Sequence, residues 1–207
     1  IGQTHLMSES RQRIIDAANE LFLGGSFHVV GIAEICEAAR VNKGTFYYFF
    51  SSKIALLIEL LELYVAALLK EYAAIASGPG APAAKMRLIF NIPRKRNEAW
   101  KAAHGKSAGC LIGNVCLELA TQEPIVREKS EWALKELARG LEPIVADLLK
   151  QGGGSTSDAS AKSEIVMGMM QGAHVRAKAK NDPSLFSTYG ELVIDMFAKK
   201  EKVARAG

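Results

Sequence analysis

Apolar residues recur at helical spacing along most of this chain, and the strict alternation that marks a strand is scarce. Ile14, Ile15, Ala18, Leu21 and Phe22 fall on one face of a first helix, with Ser8 or Ser10 as its cap and Gly24-Gly25 as its stop. Ile32, Ile35, Cys36 and Ala39 mark the inner face of a short second helix, which breaks at Arg40-Val41-Asn42. A third short helix fits Lys43 to Phe50. Ser51-Ser52 then opens a long Leu- and Ala-rich fourth helix reaching about Ala76. Ser77-Gly78-Pro79-Gly80-Ala81-Pro82 reads as a linker. Behind it lie a basic helix from Ala83 to about Lys101, an apolar segment from Gly109 to Ala120, and a helix opened by Pro124 and running to Gln151. After the Gly152–Ser157 loop, two more helices are expected, Asp158 to Lys180 and Pro183 to Lys200, before a charged tail from Glu201 to Gly207. The pattern predicts an all-α protein of about nine helices. No repeat is visible.

The first three helices carry the local signals. Two short helices joined by a three-residue turn, over about 31–50, can set the second of the pair in a DNA major groove if its outer face is polar. In the third helix Phe46 and Phe50 share an inner face with Val41. Lys43, Thr45, Tyr47 and Tyr48 are left outside, and these side chains can bond phosphates or base edges. Two adjacent outward tyrosines are costly unless something binds them. Gly44 leaves room for close backbone approach, and Lys53, opening the fourth helix, is placed for a phosphate. The competing view is a three-helix packing unit with no DNA role, which leaves the tyrosines and lysines without purpose.

Charge adds little to this picture. The chain carries a net +4, but Arg11, Arg13, Arg40, Lys43 and Lys53 are matched between Ser8 and Lys53 by Glu9, Asp16, Glu20, Glu34 and Glu37. Placement, not bulk charge, has to carry a DNA argument. Three cysteines, Cys36, Cys110 and Cys116, do not form a disulfide framework and fit a reducing compartment. No apolar run approaches a membrane span, no secretory signal is present, and Ile1 to Met7 reads as a short lead, so a cytoplasmic location is expected. No phosphate-binding Gly loop, nucleophile elbow or metal-spaced His/Cys cluster appears, so neither an enzyme nor a metal or cofactor site is expected.

The stretch from Arg11 to about Leu61 resembles the front of the tetracycline-repressor (TetR/AcrR) family. The matching words are Ile15-Asp16-Ala17-Ala18, Leu21-Phe22, Phe27, Ile35, Ala38-Ala39 and, above all, Val41-Asn42-Lys43-Gly44-Thr45-Phe46-Tyr47-Tyr48-Phe49-Phe50-Ser51-Ser52-Lys53. The resemblance implies DNA contact by Asn42, Lys43, Gly44, Thr45, Tyr47, Tyr48 and Lys53, with Thr45, Tyr47 and Lys53 mainly on phosphates and Lys43, Gly44 and Tyr48 nearest the bases. Three positions depart from the family pattern. Arg40 stands where Gly usually allows a left-handed turn, at a cost of about 1 kcal/mol. Gly31 stands where Thr or Ser usually caps the second helix. Phe49 stands where His is common.

The resemblance also implies a C-terminal body that binds a small molecule and dimerises through its last two helices. Met167, Met170, Leu192, Met196 and Phe197 are the candidate dimer residues, and a four-helix interface is the expected form. The alternative is an ordinary intrachain core. Trp100, His104, Cys110, Asn114, Cys116, Trp132 and His174 are polar or aromatic residues within apolar stretches and are candidates for lining a pocket. Cys110 and Cys116, six apart, fall on different helical faces and are not expected to pair or share a metal. Thiol sensing by Cys110 is the sharper reading, and a buried structural cysteine is the plainer one. The basic run Lys85, Arg87, Arg94, Lys95, Arg96, Lys101 and Lys106 reads first as a solvated helix face.

The expected organisation is a DNA-binding head over 8–53 and a helical ligand-binding and dimerisation body over 54–200. The expected function is a homodimeric repressor that leaves double-stranded operator DNA when a small-molecule effector binds. The fourth helix would carry the change to a pair of third helices spaced roughly 34–36 Å apart. The alternative is a small-molecule-binding protein or enzyme with a vestigial helix-turn-helix.

Overall fold

The computed structural model describes residues 2–197. Among these it has nine α-helices and one short 3-10 turn: α1 Gly2–Gly24, α2 Ile32–Ala38, α3 Lys43–Phe49, α4 Lys53–Ser77, α5 Pro82–His104, α6 Leu111–Leu119, α7 Pro124–Gln151, the 3-10 turn Thr156–Asp158, α8 Ala159–Lys180 and α9 Leu185–Phe197. The all-α architecture is as expected. One boundary moves. The first helix does not begin at a Ser8 or Ser10 cap but runs through both residues, and Ser10 Oγ accepts a hydrogen bond from Arg13 Nη2 at 3.1 Å. No proline lies in that stretch to stop the helix propagating upstream. The expected tail, 201–207, and the last three residues of the expected ninth helix, 198–200, lie outside the described residues.

The described residues pack as two compact units, one of 2–67 with 108–134 and one of 68–107 with 135–197. In the first, α1 buries Ile14, Ile15, Ala18 and Phe22 along one stripe. Phe27, Ile35, Phe46, Phe50, Leu56, Leu57 and Leu61 complete the core from α2, α3, α4 and the loops. α6 packs on α1 in the same unit and buries Leu111, Ile112, Val115 and Leu119. In the second unit α9 lies against both α5 and α8. Gly190 makes the α5 approach possible, because a Cβ there would stand 3.1 Å from Phe90 Cβ and 3.2 Å from its Cγ. Asn181 ends α8 in a left-handed conformation (φ 52°). Its side chain accepts from the Ser107 N–H at 2.9 Å and donates to the Gly105 carbonyl at 3.0 Å.

Most of the basic residues of α5 have local partners. Arg87 holds Glu191 through two bonds of 2.7 and 2.8 Å. Arg94 bonds Glu98 at 2.7 Å and Asn91, Arg96 pairs with Glu71, and Lys85 and Lys101 donate to the carbonyls of Ala76 and Asn181. No helix of the described residues is long and apolar enough to cross a membrane.

Candidate nucleic-acid interface

Backbone chemistry sets the geometry of α2 and α3. Arg40 takes φ 54°, a left-handed conformation. Its N–H donates to Glu37 O at 3.0 Å and the Val41 N–H to Cys36 O at 2.9 Å, the paired bonds that close a helix C-terminus on a left-handed residue. The side chain of Arg13 adds a third tie, donating from Nε to Ala39 O at 3.0 Å. The strain expected at Arg40 is therefore present. Asn42 then caps α3: its Oδ1 accepts the Thr45 N–H at 2.8 Å and the Thr45 hydroxyl at 3.1 Å. Gly31 caps α2 with an extended backbone and no side-chain bond.

This framework turns Phe46 and Phe50 inward, with ring centroids 5.9 Å apart, and turns Lys43, Gly44, Tyr47 and Tyr48 outward. Tyr47 is 54% exposed and Tyr48 70% exposed. Lys43 and Gly44 are exposed and Thr45 is half-buried. Phe49 fills the gap between faces, edge-on to Tyr48 at 4.9 Å.

Lys53 occupies a more enclosed position than its place in the chain suggests. Its ammonium donates to the carbonyls of Phe27 and Val30, each at 2.7 Å, and lies 4.2 Å from the Phe27 ring centroid. Burial lowers the Lys53 pKa, against the opposing charge of Glu118. Two of its three N–H donors thus hold the loop that leads into α2.

Glu118, on α6, grips the same loop, and nothing in the sequence pattern points to it. Its carboxylate accepts from Ser26 Oγ at 2.5 Å, the Phe27 N–H at 3.0 Å and the His28 N–H at 2.9 Å. Desolvation pushes the Glu118 carboxyl upward, but the Ser26 hydroxyl and the two backbone N–H groups outweigh it and bring it below its ordinary value. Some ninety residues separate Glu118 from its partners, and no local motif marks it.

The pocket candidates are shared between the two compact units. Trp100 and His104 stack at 4.0 Å, and His174 lies edge-on to Phe186 at 4.7 Å; all belong to the second unit. Cys110, Asn114, Cys116 and Trp132 belong to the first. Cys110 is buried and caps α6 without a side-chain cap bond, Cys116 is half-buried, Asn114 donates to Ala108 O at 3.1 Å, and Trp132 lies against the Lys129 ammonium at 4.2 Å. Of the dimer candidates, Met167, Met170 and Phe197 are buried in the core of their own protomer, because they sit on the inner faces of α8 and α9. Leu192 and Met196 face outward, as do Ile165 and Val175 on α8. The described residues hold no cluster of three or more His, Cys, Asp or Glu side chains suited to a metal ion.

A short helix pair whose capped second helix turns Tyr47 and Tyr48 outward has the geometry of a helix-turn-helix. Comparison with known proteins gives the family. Residues 14–60 match the family described as bacterial regulatory proteins, tetR family, and residues 92–191 match the one described as transcriptional regulator LmrA/YxaF-like, C-terminal domain. The transcriptional regulator AcuR of Cereibacter sphaeroides is 37% identical over 115 residues, 54% of this chain and 50% of that protein, so the match spans half of that relative. The transcriptional repressor NemR of Escherichia coli is 24% identical over 180 residues, 84% of this chain and 86% of that one. The crystal structure of regulatory protein TetR from Rhodobacter sphaeroides superposes with a TM-score of 0.76 at 29% identity, covering 90% of this chain and 97% of that one. The chain belongs to the TetR family of transcriptional regulators and is a DNA-binding regulator.

Proposed function

We propose that this regulator is a homodimeric repressor that leaves its operator when a small molecule binds its helical body. The head, 8–53, reads DNA and the body, from 54 onward, binds the effector and the second subunit. The outward face of α3 carries the reading. Tyr47 and Tyr48 expose their rings side by side although each could contribute to a core, and Lys43, Gly44 and Thr45 share that end of the helix. Thr45 and Tyr47 bond phosphates, Lys43, Gly44 and Tyr48 approach the bases, Asn42 holds the start of α3 in place, and Lys53 offers its remaining N–H. Two copies of α3 on successive major grooves account for the need for a dimer.

The outward apolar residues of α8 and α9 support that dimer. Ile165, Gly168, Gly172 and Val175 follow one another at helical spacing along α8, and Leu192 and Met196 do so on α9. A Cβ at Gly168 would meet nothing within 4 Å, so this stripe leaves room for a close second helix.

Gel retardation on duplexes that the protein selects from a random-sequence library tests the DNA reading. Wild-type protein is expected to select a two-fold-symmetric site, and Tyr47→Ala to lose it while keeping the wild-type helical spectrum. Failure to enrich any duplex would overturn the proposal. Tyr47 is the better probe than Lys53, because substituting Lys53 also releases the 27–30 loop.

A further inference from the structure

We infer that Arg40, in the turn between α2 and α3, binds the DNA phosphate backbone, retained there despite a backbone conformation that favours glycine. The inference rests on the DNA-binding reading above and names a residue outside the outward face of α3.

The five cations between Ser8 and Lys53 divide into two groups. Arg11 pairs with Glu59 and lies 5.6 Å from the Phe50 ring centroid. Arg13 donates to Ala39 O and to Ser10 Oγ, and Lys53 holds the Phe27 and Val30 carbonyls. These three cations serve the fold, Lys53 with two of its three N–H donors. Arg40 and Lys43 are exposed, and neither side chain has an ion pair or hydrogen bond among the described residues. Lys43 opens α3, and Arg40 stands three residues before it, so the two uncommitted charges cluster at the end of α3 that enters the groove.

The backbone separates Arg40 from an ordinary surface arginine. Two described residues other than glycine have positive φ, Arg40 and Asn181. Asn181 is explained by the fold: asparagine tolerates the left-handed region, and its amide ties Ser107 and Gly105. For Arg40 the turn needs the backbone only. The bonds that close it come from the N–H groups of Arg40 and Val41, which glycine at 40 would supply without strain. The side chain therefore adds nothing to the turn, and a long guanidinium is an unfavourable choice for the position. Strain kept without a structural benefit marks a functional position. A planar guanidinium with all its donors available matches two phosphate oxygens better than any other side chain.

The test compares wild type, Arg40→Gly and Arg40→Lys on a duplex selected by the wild-type protein, with affinity measured against salt. Removing one cation from a phosphate lowers the slope of log affinity against log salt by about 0.9, so Arg40→Gly is expected to lower it by about 0.9 per protomer. Affinity should fall several-fold at low salt, while the midpoint of thermal unfolding rises because the strain is gone. Arg40→Lys should keep most of the slope. A purely structural Arg40 would move stability and affinity in the same direction, and a more stable Arg40→Gly protein with unchanged slope and affinity overturns the inference. An affinity decrease that depends on the base at one position overturns the phosphate assignment. If wild type selects no duplex, the DNA-binding reading itself fails, a result distinct from either.

Discussion

Removing the Glu118 carboxylate should loosen the loop that leads into α2. Glu118→Ala deletes one acceptor that serves the Ser26 hydroxyl and the N–H groups of Phe27 and His28. A hydrogen bond to a charged group contributes about 1.5–3 kcal/mol when water cannot replace it. Ser26 and His28 are exposed, so water takes over their bonds and the loss there is a few tenths of a kcal/mol each. Phe27 is buried, and its N–H is the one left without a ready substitute. The total comes to about 2 kcal/mol. Urea unfolding at pH 7 measures it, and amide exchange at Phe27 and His28 locates it. The effect is linked to pH. The folded carboxyl lies below its ordinary value of 4.5, so its contribution is complete above 4.5 and fades as pH falls through the folded value. The gap between wild type and Glu118→Ala should therefore close below pH 4.5. A loss under about 0.5 kcal/mol at pH 7 with unchanged exchange at Phe27, or a gap independent of pH, would refute this account of the loop.

Two further outcomes test the second unit and the dimer. Gly190→Ala should destabilise by about 1–3 kcal/mol in denaturant, because the new methyl meets Phe90 near its backbone root, where the ring cannot swing aside. Leu192→Asp combined with Met196→Asp should leave the helical content intact and halve the mass measured by light scattering, since both side chains face outward on α9.

Helical periodicity carried most of the secondary structure. α7 falls at Pro124–Gln151 as expected, and α2, α3 and α4 end within a residue of their expected stops, because apolar spacing, Pro and Gly act locally. The left-handed turn at Arg40 was expected only through the family resemblance, in which Gly usually stands at that position. The outward face of α3 was legible from local spacing, since Phe46 and Phe50 claim the inner side. On α8 and α9 the apolar residues were visible, but not the direction each would face. Met167, Met170 and Phe197 turn into the protomer, while Leu192 and Met196 turn out of it. Polar residues such as Lys162, Glu164, Gln171 and Arg176 are spread around α8 rather than confined to one face, which leaves its helical phase ambiguous until its neighbours are in place.

The sequence by itself determined an all-helical chain with a helix-turn-helix and a tyrosine-bearing outer face, because those features depend on residues within a few turns of one another. Only the tertiary structure decided how far each cation of the head is committed to the fold. Arg11, Arg13 and Lys53 are drawn into the fold by Glu59, Ala39 and the 27–30 loop, and Glu118 arrives from α6 to hold the same loop. Whether a charge is neutralised internally depends on partners brought near by packing, and spacing along the chain carries no record of them.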